Sequence, residues 1–488
     1  MKRFHITAIF ILLCAAFLLY SYNSGYGYDA VEYLVIGRSL LDGYDLFHFS
    51  PSKSPGIFYL VAGFLYLWPD AGHVAISVLI TSIFAAVVAF TFLFVGRTHG
   101  RTAAVISAAI VAASCFFMEM NFLETEALVF LCALPALPAL RSGLRTRRLY
   151  PFLLAGCWIG CAIFFKTVGL FYAVGAAAFI AFWNRFKNRL PFSATVSQVL
   201  ACGAGIVMCA PILLYAFTGQ LRDYVHWTYI FPLMHYPSDT FFLGKLYTKL
   251  GWFFLLLLLT FALSFHRRVR SVLQMSCYPG IALTLGLAAL LALFKNQASH
   301  YVFPAAGFLA IFMGIVISAA FSASPFMKRS AASFLVLAAL AVPASVALYR
   351  PSALKRFIKI ADYSAESEAG MRIREIVGEN DRALFFSHPV LYWASHRYPN
   401  IPYINFHVHF SQGLRSDPDM LRRALEDPAL VLVEFDPGYP QVRDPRFLDD
   451  PQLAGALGEF TEQLRATFEP VDIGVPKHRF WRRKNGRG

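Results

Sequence analysis

Charge is what this chain has least of: only 15% of its 488 residues are Asp, Glu, Lys or Arg. A soluble domain carries about 25%, so most of the chain has no aqueous surface to present. Other features are missing as well. None of the eight cysteines (Cys14, Cys115, Cys132, Cys157, Cys161, Cys202, Cys209 and Cys277) lies after residue 349, so no disulfide staples the tail. No cysteine pair has metal-site spacing. Cys157 and Cys161 share a helix face and read as lipid- or core-facing residues. There is no internal repeat and no low-complexity tract. What fills the chain instead is hydrophobic: 57% of residues, with 16% aromatic and a mean hydropathy of +0.54. The net charge of +14 sits in short connectors between apolar runs. That placement is a membrane-topology signal and argues against a nucleic-acid partner.

A membrane span takes about 20 apolar residues. Runs of that kind lie near 6–22, 71–95, 103–119, 123–140, 151–165, 168–183, 195–217, 246–265, 277–294, 301–320 and 331–349. The first follows Met1-Lys2-Arg3 as a signal peptide would. No small-x-small cleavage site comes after it, which predicts an uncleaved first transmembrane helix. Six basic connectors stand out: Lys2/Arg3, Arg97/Arg101, Arg141/Arg145/Arg147/Arg148, Arg185/Lys187/Arg189, Arg267/Arg268/Arg270 and Lys328/Arg329. With about eleven crossings all six fall on one side, which is then the cytoplasm.

Residues 151–183 decide the count. They are too long for one span, and both flanks are basic, so the chain must enter and return. Lys166 is the only charge inside, followed by Thr167-Val168-Gly169, and is expected at an outward hairpin tip. An unpaired ammonium at that depth costs roughly 2.5–3.5 kcal/mol, so Lys166 needs an anionic partner.

The expected architecture is a polytopic α-helical membrane domain over 1–349, with a first outer loop at 23–70, and a small soluble α/β domain over 350–488. The tail alternates strand-like runs (383–387, 429–435) with amphipathic helical stretches at 364–378, 417–426 and 451–466. The remaining outer segments are a short loop at 119–126, the loop at 218–245 and the segment Lys295–His300.

Chemistry is expected at the outer face. In the first loop, residues 30–42 read as a helix ended by Gly43, with Asp29, Glu32 and Tyr33 on one face. A capping box of Asp29 and Glu32 would explain those acids structurally. A second capping box, Asn121 with Glu124, fits the loop at 119–126, but Glu126 lies too far into the helix for it. Intramembrane carboxylates usually face a cavity and serve it. Against these acids stand the outer cations Arg38, Lys53, Lys166 and Lys295. Carboxylates and cations facing one compartment suit a transferase whose leaving group is a lipid phosphate. One acid takes the acceptor's proton, and the cations stabilise charge growing on the departing phosphate. Structural ion pairing, or snorkelling for Lys295, accounts for the same residues. Two further histidine sites offer less. His407-Val-His409 on a strand would put two imidazoles on one face without a third metal ligand. His226-Trp227 and His235-Tyr236 are ordinary interfacial aromatics.

Taken in order, the segments resemble a known family. Asp29-Ala-Val-Glu-Tyr33, Gly43 and Lys53-Ser-Pro-Gly-Ile-Phe-Tyr59 look like the Asp-Glu-x-x-Tyr, Gly, Lys-Pro-Pro-x-x-Tyr pattern of the GT-C superfamily. The likeness is to protein O-mannosyltransferase-like enzymes and to the lipid A aminoarabinose and galacturonic acid transferases. Thr125-Glu126-Ala-Leu resembles their second acidic site, and Phe165-Lys166-Thr-Val-Gly169 their Lys-Gly-Pro-x-Gly turn. Lys295 through Pro304 is similar to their Tyr-x-x-Pro segment. The resemblance implies an inverting glycosyltransferase in the inner (plasma) membrane, with a cytoplasmic N-terminus and an extracytoplasmic tail. It implies a polyprenyl-phosphate sugar donor, a glycan, lipid or protein acceptor, membrane-lipid contacts and no nucleotide-binding loop. Asp29 would be the base and Glu126 the second acid, with Glu124 and Glu32 beside them. Lys53 and Lys166, aided by Arg38 and Lys295, would hold the donor phosphate. Tyr33, His300 and Tyr301 would contact substrate. No cofactor is required, although the acids are compatible with a divalent cation.

The competing reading is a carrier or lipid-linked sugar flippase. Such a protein would more naturally show paired halves with broken helices at matching positions, and none is found here.

Overall fold

The structure, a computed structural model, describes residues 3–49, 53–235, 243–294, 299–323, 360–387, 389–404, 408–439, 443, 449–476 and 478–484. The expected span at 331–349, Lys295 and His407 lie outside the described residues. The chain divides into two compact units. One comprises Met1–Gly25, Val74–Arg222 and Pro237–Ala361; the other comprises Tyr26–His73, Asp223–Tyr236 and Asp362–Gly488.

Along the chain the helices are α1 (Arg3–Tyr22), α2 (Tyr28–Leu41), α3 (Gly56–Leu67), α4 (His73–Phe117), α5 (Thr125–Ala133) and α6 (Ala136–Thr146). There follow α7 (Tyr150–Phe165), α8 (Gly169–Trp183), α9 (Phe192–Cys209), α10 (Ile212–Phe217), α11 (Leu221–Val225) and α12 (Phe231–His235). Next come α13 (Leu243–Ser264), the basic amphipathic α14 (Arg267–Met275), α15 (Tyr278–Ala289) and α16 (Phe303–Ala323). The tail holds α17 (Ser364–Ile376), β1 (Arg382–Phe385), α18 (Val390–Ser395), α19 (Val408–Ser416) and α20 (Met420–Glu426). It continues with β2 (Leu430–Glu434), α21 (Pro451–Thr467), β3 (Phe468–Val471) and β4 (Phe480–Arg483).

The first unit is a helical bundle whose breaks follow the sequence. The runs expected at 71–95 and 103–119 meet within α4 at Gly100, whose φ of +84° reverses the chain. Pro135 separates α5 from α6, and Pro211 separates α9 from α10. Among the described residues six helices are long and apolar enough to cross a membrane, among them α1, α4, α9 and α16 with its preceding turn. The closest packing is between α7 and α9. A Cβ at Gly156 would collide with the Cys202 carbonyl, and one at Gly205 with that of Leu153. Two backbones in contact gain dispersion where burial from water gives nothing, as small residues do in lipid. Tyr172 on α8, Phe130 on α5 and Phe308 on α16 close the centre as edge-to-face rings.

The second unit joins the first loop to the tail. Its four-stranded sheet runs β1-β2-β4-β3, with β1 and β2 parallel and the other pairs antiparallel. Phe386, Phe410, Phe435, Phe460 and Leu464 fill the core beside it. The buried Glu434 carboxylate accepts hydrogen bonds from the Phe386 and Ser387 amides and meets His478 Nδ1 at 2.9 Å. The loop helix α2 is tied to this body at its C-terminal end. Tyr398 donates to Asp42 at 2.5 Å, and Arg382 donates to Tyr44 at 2.7 Å.

Candidate active site

Each unit holds one charge pair that the sequence pointed to. In the second unit, α2 opens at Tyr28 with Gly27 as its N-cap. Asp29 therefore stands inside the first turn, and the capping-box reading with Glu32 does not hold. Asp29 instead accepts a hydrogen bond from Lys53 Nζ at 2.5 Å. The turn before α3, rather than helical spacing, brings the two together across 24 residues. The pair is reachable from solvent, with side-chain exposures of 36% for Asp29 and 13% for Lys53. Tyr33 is fully buried. Its ring lies 5.7 Å from Lys53 Nζ and edge-on to Phe58. Glu32 is buried nearby on the same helix.

Arg38 is a correction. It lies nine residues beyond Asp29, about 14 Å along the axis. Its guanidinium sits 4.0 Å over the Trp393 ring and donates to the carbonyls of Trp393 (3.4 Å) and Pro69 (3.2 Å). It holds the helix to the tail and is not beside Lys53. The strand expected around His407-Val-His409 is not seen in its described part: Val408 and His409 lie in the first turn of α19, and His407 is outside the described residues.

In the first unit, Glu126 lies in the first turn of α5 with a fully buried side chain. It takes the Lys166 ammonium as its ion-pair partner, the anion that the depth of Lys166 demanded. Lys166 caps the C-terminus of α7 in extended conformation, φ −163°. The break before α8 thus aims its side chain across to α5. Tyr301 lies beneath the ammonium, 3.9 Å from Nζ to the ring centroid. His300 is 3.9 Å from Glu126 through Nε2 and 3.9 Å from Glu119 through Nδ1. Glu126, Lys166, His300 and Tyr301 thus converge, from sequence positions up to 175 residues apart (301 − 126).

Glu124 is itself the N-cap of α5, and the Asn121 side chain is buried without a partner among the described residues. The Asn121–Glu124 capping box therefore does not form. Glu119 was legible only as the start of a loop. Its φ of +63° is unusual for a side-chain-bearing residue, and no sequence pattern announces it.

Glu124, Glu126 and His300 place one ligand atom each within 4.8 Å of one another, a spacing that a metal ion would accept. The Lys166 ammonium already holds Glu126 Oε1, the oxygen that His300 also faces. A divalent cation there would meet a buried positive charge, so the residues as arranged do not fit one.

The fold is that of the GT-C membrane glycosyltransferases, and the resemblance read from the sequence is borne out at that level. Residues 52–223 match the family model described as dolichyl-phosphate-mannose-protein mannosyltransferase. Among solved structures the chain is similar to ArnT from Cupriavidus metallidurans bound to undecaprenyl phosphate. The identity is 13% and the TM-score 0.60, with 98% of each chain covered. It is also similar to the oligosaccharyltransferase AglB from Archaeoglobus fulgidus in complex with an inhibitory peptide and a dolichol-phosphate. There the identity is 13% and the TM-score 0.58, over 99% of this chain and 74% of that one. A sequence search of curated proteins finds no match.

Proposed function

We propose that this chain is an inverting glycosyltransferase, moving a sugar from a polyprenyl-phosphate donor to an acceptor hydroxyl at the outer face of the inner (plasma) membrane. The observation that carries it is the Asp29–Lys53 pair: an acid and a cation in direct contact, both reachable, on a helix start and a turn. In the reaction the acceptor oxygen bonds to the anomeric carbon while its proton passes to the Asp29 carboxylate. The bond from that carbon to the phosphate oxygen breaks, its electron pair leaves with the polyprenyl phosphate, and the configuration inverts. Lys53 stabilises the charge that grows on the leaving phosphate. Glu126 and Lys166 are the second acid and cation of the proposal, with His300 and Tyr301 around them.

The assignment to the outer face has support in the second unit. Residues 26–73, 223–236 and the tail fall into one compact unit, which supports their lying on one side of the membrane. Those are segments that the basic connectors leave on the non-cytoplasmic side.

The test is a donor assay on purified protein in proteoliposomes, with a panel of polyprenyl-phosphate sugars. A transferase releases free polyprenyl phosphate, and Asp29→Asn abolishes the release. A flippase would move the donor without cleaving it. Failure to consume any donor on the panel, or full turnover by Asp29→Asn, would overturn the reading.

A further inference from the structure

The tail carries a second concavity, wholly inside the second unit and away from Asp29 in sequence. It is about 480 Å³ and lies between the turn after β2, the last turn of α21 and strand β4. A volume of that order suits one or two sugar rings. Trp481 lines it while packing partly against the core, and is held from both sides by the ladder to Val433 and Pro470. The indole Nε1 donates to the Phe435 carbonyl at 3.1 Å, which fixes the plane of the ring. Thr461 and Arg465, four apart on α21, form one wall. Arg443 and Arg479 form the others.

The charges here are out of balance. Asp436 is the one acid lining the cleft among the described residues, and it is spent. Oδ1 accepts from the Gly438 amide at 2.7 Å, closing a turn, and Oδ2 accepts from Arg479 Nε at 2.8 Å. Arg443 reaches only the Pro437 carbonyl, at 3.4 Å. Among the described residues neither Arg443 nor Arg465 has a carboxylate partner. Three guanidiniums among the described residues therefore share one cleft with a single paired acid. Guanidinium forks favour phosphate and carboxylate, and a fixed indole face favours the apolar face of a sugar ring.

We propose that this cleft binds an anionic saccharide, one whose phosphate or carboxylate meets Arg443 and Arg465 while its ring lies on Trp481. The proposal is independent of the chemistry assigned to Asp29 and Lys53.

The experiment uses the full chain in nanodiscs, labelled with fluorotryptophan, the Trp481 resonance being assigned with Trp481→Phe. Glucose-6-phosphate, glucose and inorganic phosphate are titrated separately. The expected result is a saturable shift of the Trp481 signal with glucose-6-phosphate, at lower concentration than with either other ligand. A double variant, Arg443→Gln with Arg465→Gln, should weaken it by at least about tenfold, the size of one lost charge-assisted contact. Both positions are exposed, and unchanged resonances of the other tryptophans certify the fold. No shift at Trp481, equal response to glucose, equal response to inorganic phosphate, or an unaffected double variant would each overturn the proposal.

Discussion

The Arg38 guanidinium lies 4.0 Å above the ring of Trp393, although 355 residues separate them. One end of α2 carries Asp29 and the other is clamped by this contact to the tail. Arg38 is half-buried, and a cation–π contact in that setting contributes about 0.5–2 kcal/mol. Arg38→Met keeps much of the stem and removes the charge and both carbonyl contacts. Hydrogen exchange should quicken in 28–41 and 390–396 of the variant, while peptides of α7 and α9 keep their protection. Unchanged exchange at α2 would show that the clamp does not hold it.

Asp29→Asn preserves size and helix position, so the fold should persist. Loss of a general base lowers turnover by about 10²–10⁴. Lys53→Met should also lower turnover. Its effect should appear in the chemical step, because the charge it balances grows only as phosphate departs. Single-turnover measurements with the polyprenyl-phosphate donor separate the two cases, and a Lys53 effect confined to donor binding would contradict this assignment.

The Glu126–Lys166 pair is buried, so breaking it on one side should be harsher than removing it. Glu126→Gln strands an ammonium in the bundle, at about 3–5 kcal/mol. Glu126→Gln with Lys166→Met leaves neither charge and should regain most of the lost thermal stability. The double variant is nonetheless expected to be inactive. Recovered stability with recovered activity would reduce the pair to a structural bridge.

The same pair bears on metal dependence. Because Lys166 supplies the positive charge at Glu126, EDTA should leave donor turnover unchanged, and added Mg²⁺ or Mn²⁺ should not raise it. A chelator-sensitive rate restored by one of these ions would mean that Lys166 leaves Glu126 during the reaction.

His396 gives the tail a defined response to acid. Burial, and then Arg38, Arg374 and Arg397 nearby, push its pKa down to about 3. In the unfolded chain it returns to about 6.5. Between those values the unfolded state binds the extra proton, so stability is full above about pH 6.5 and is lost as pH falls toward 3. His396 occupies the left-handed region at φ +52°, which asparagine tolerates. His396→Asn should therefore flatten the pH dependence of exchange around α18 without disrupting the turn. An unchanged slope would assign the acid response to other groups.

The bundle was legible because lipid imposes one rule on sequence: apolar runs of fixed length, with basic residues held to one side. The charge clusters were legible for the opposite reason, since acids and lysines are costly near lipid and stand out. Partners were less legible. Lys166 required an anion, but periodicity could not say that Glu126 would be the one. Arg38 reads as a phosphate ligand because the sequence sets its charge in the same loop as Asp29 and Lys53. Only the packing of Trp393, far along the chain, shows where that charge goes. Glu119 and the arginine cleft around Trp481 come from turns and tertiary approach, which leave no periodic trace.

The union of residues 26–73 with the tail also sets an order of assembly. The first loop is made early, whereas Arg382, Trp393 and Tyr398 come 338 to 356 residues after their partners in it. At cellular rates of synthesis, about 5–20 residues per second, that delay is on the order of tens of seconds. During it, α2 has neither its Trp393 clamp nor its Tyr398 hydrogen bond. The segment holding Asp29 and Lys53 therefore completes its packing only once translation has delivered the tail, and a chain cut short before residue 382 would carry both residues without that support.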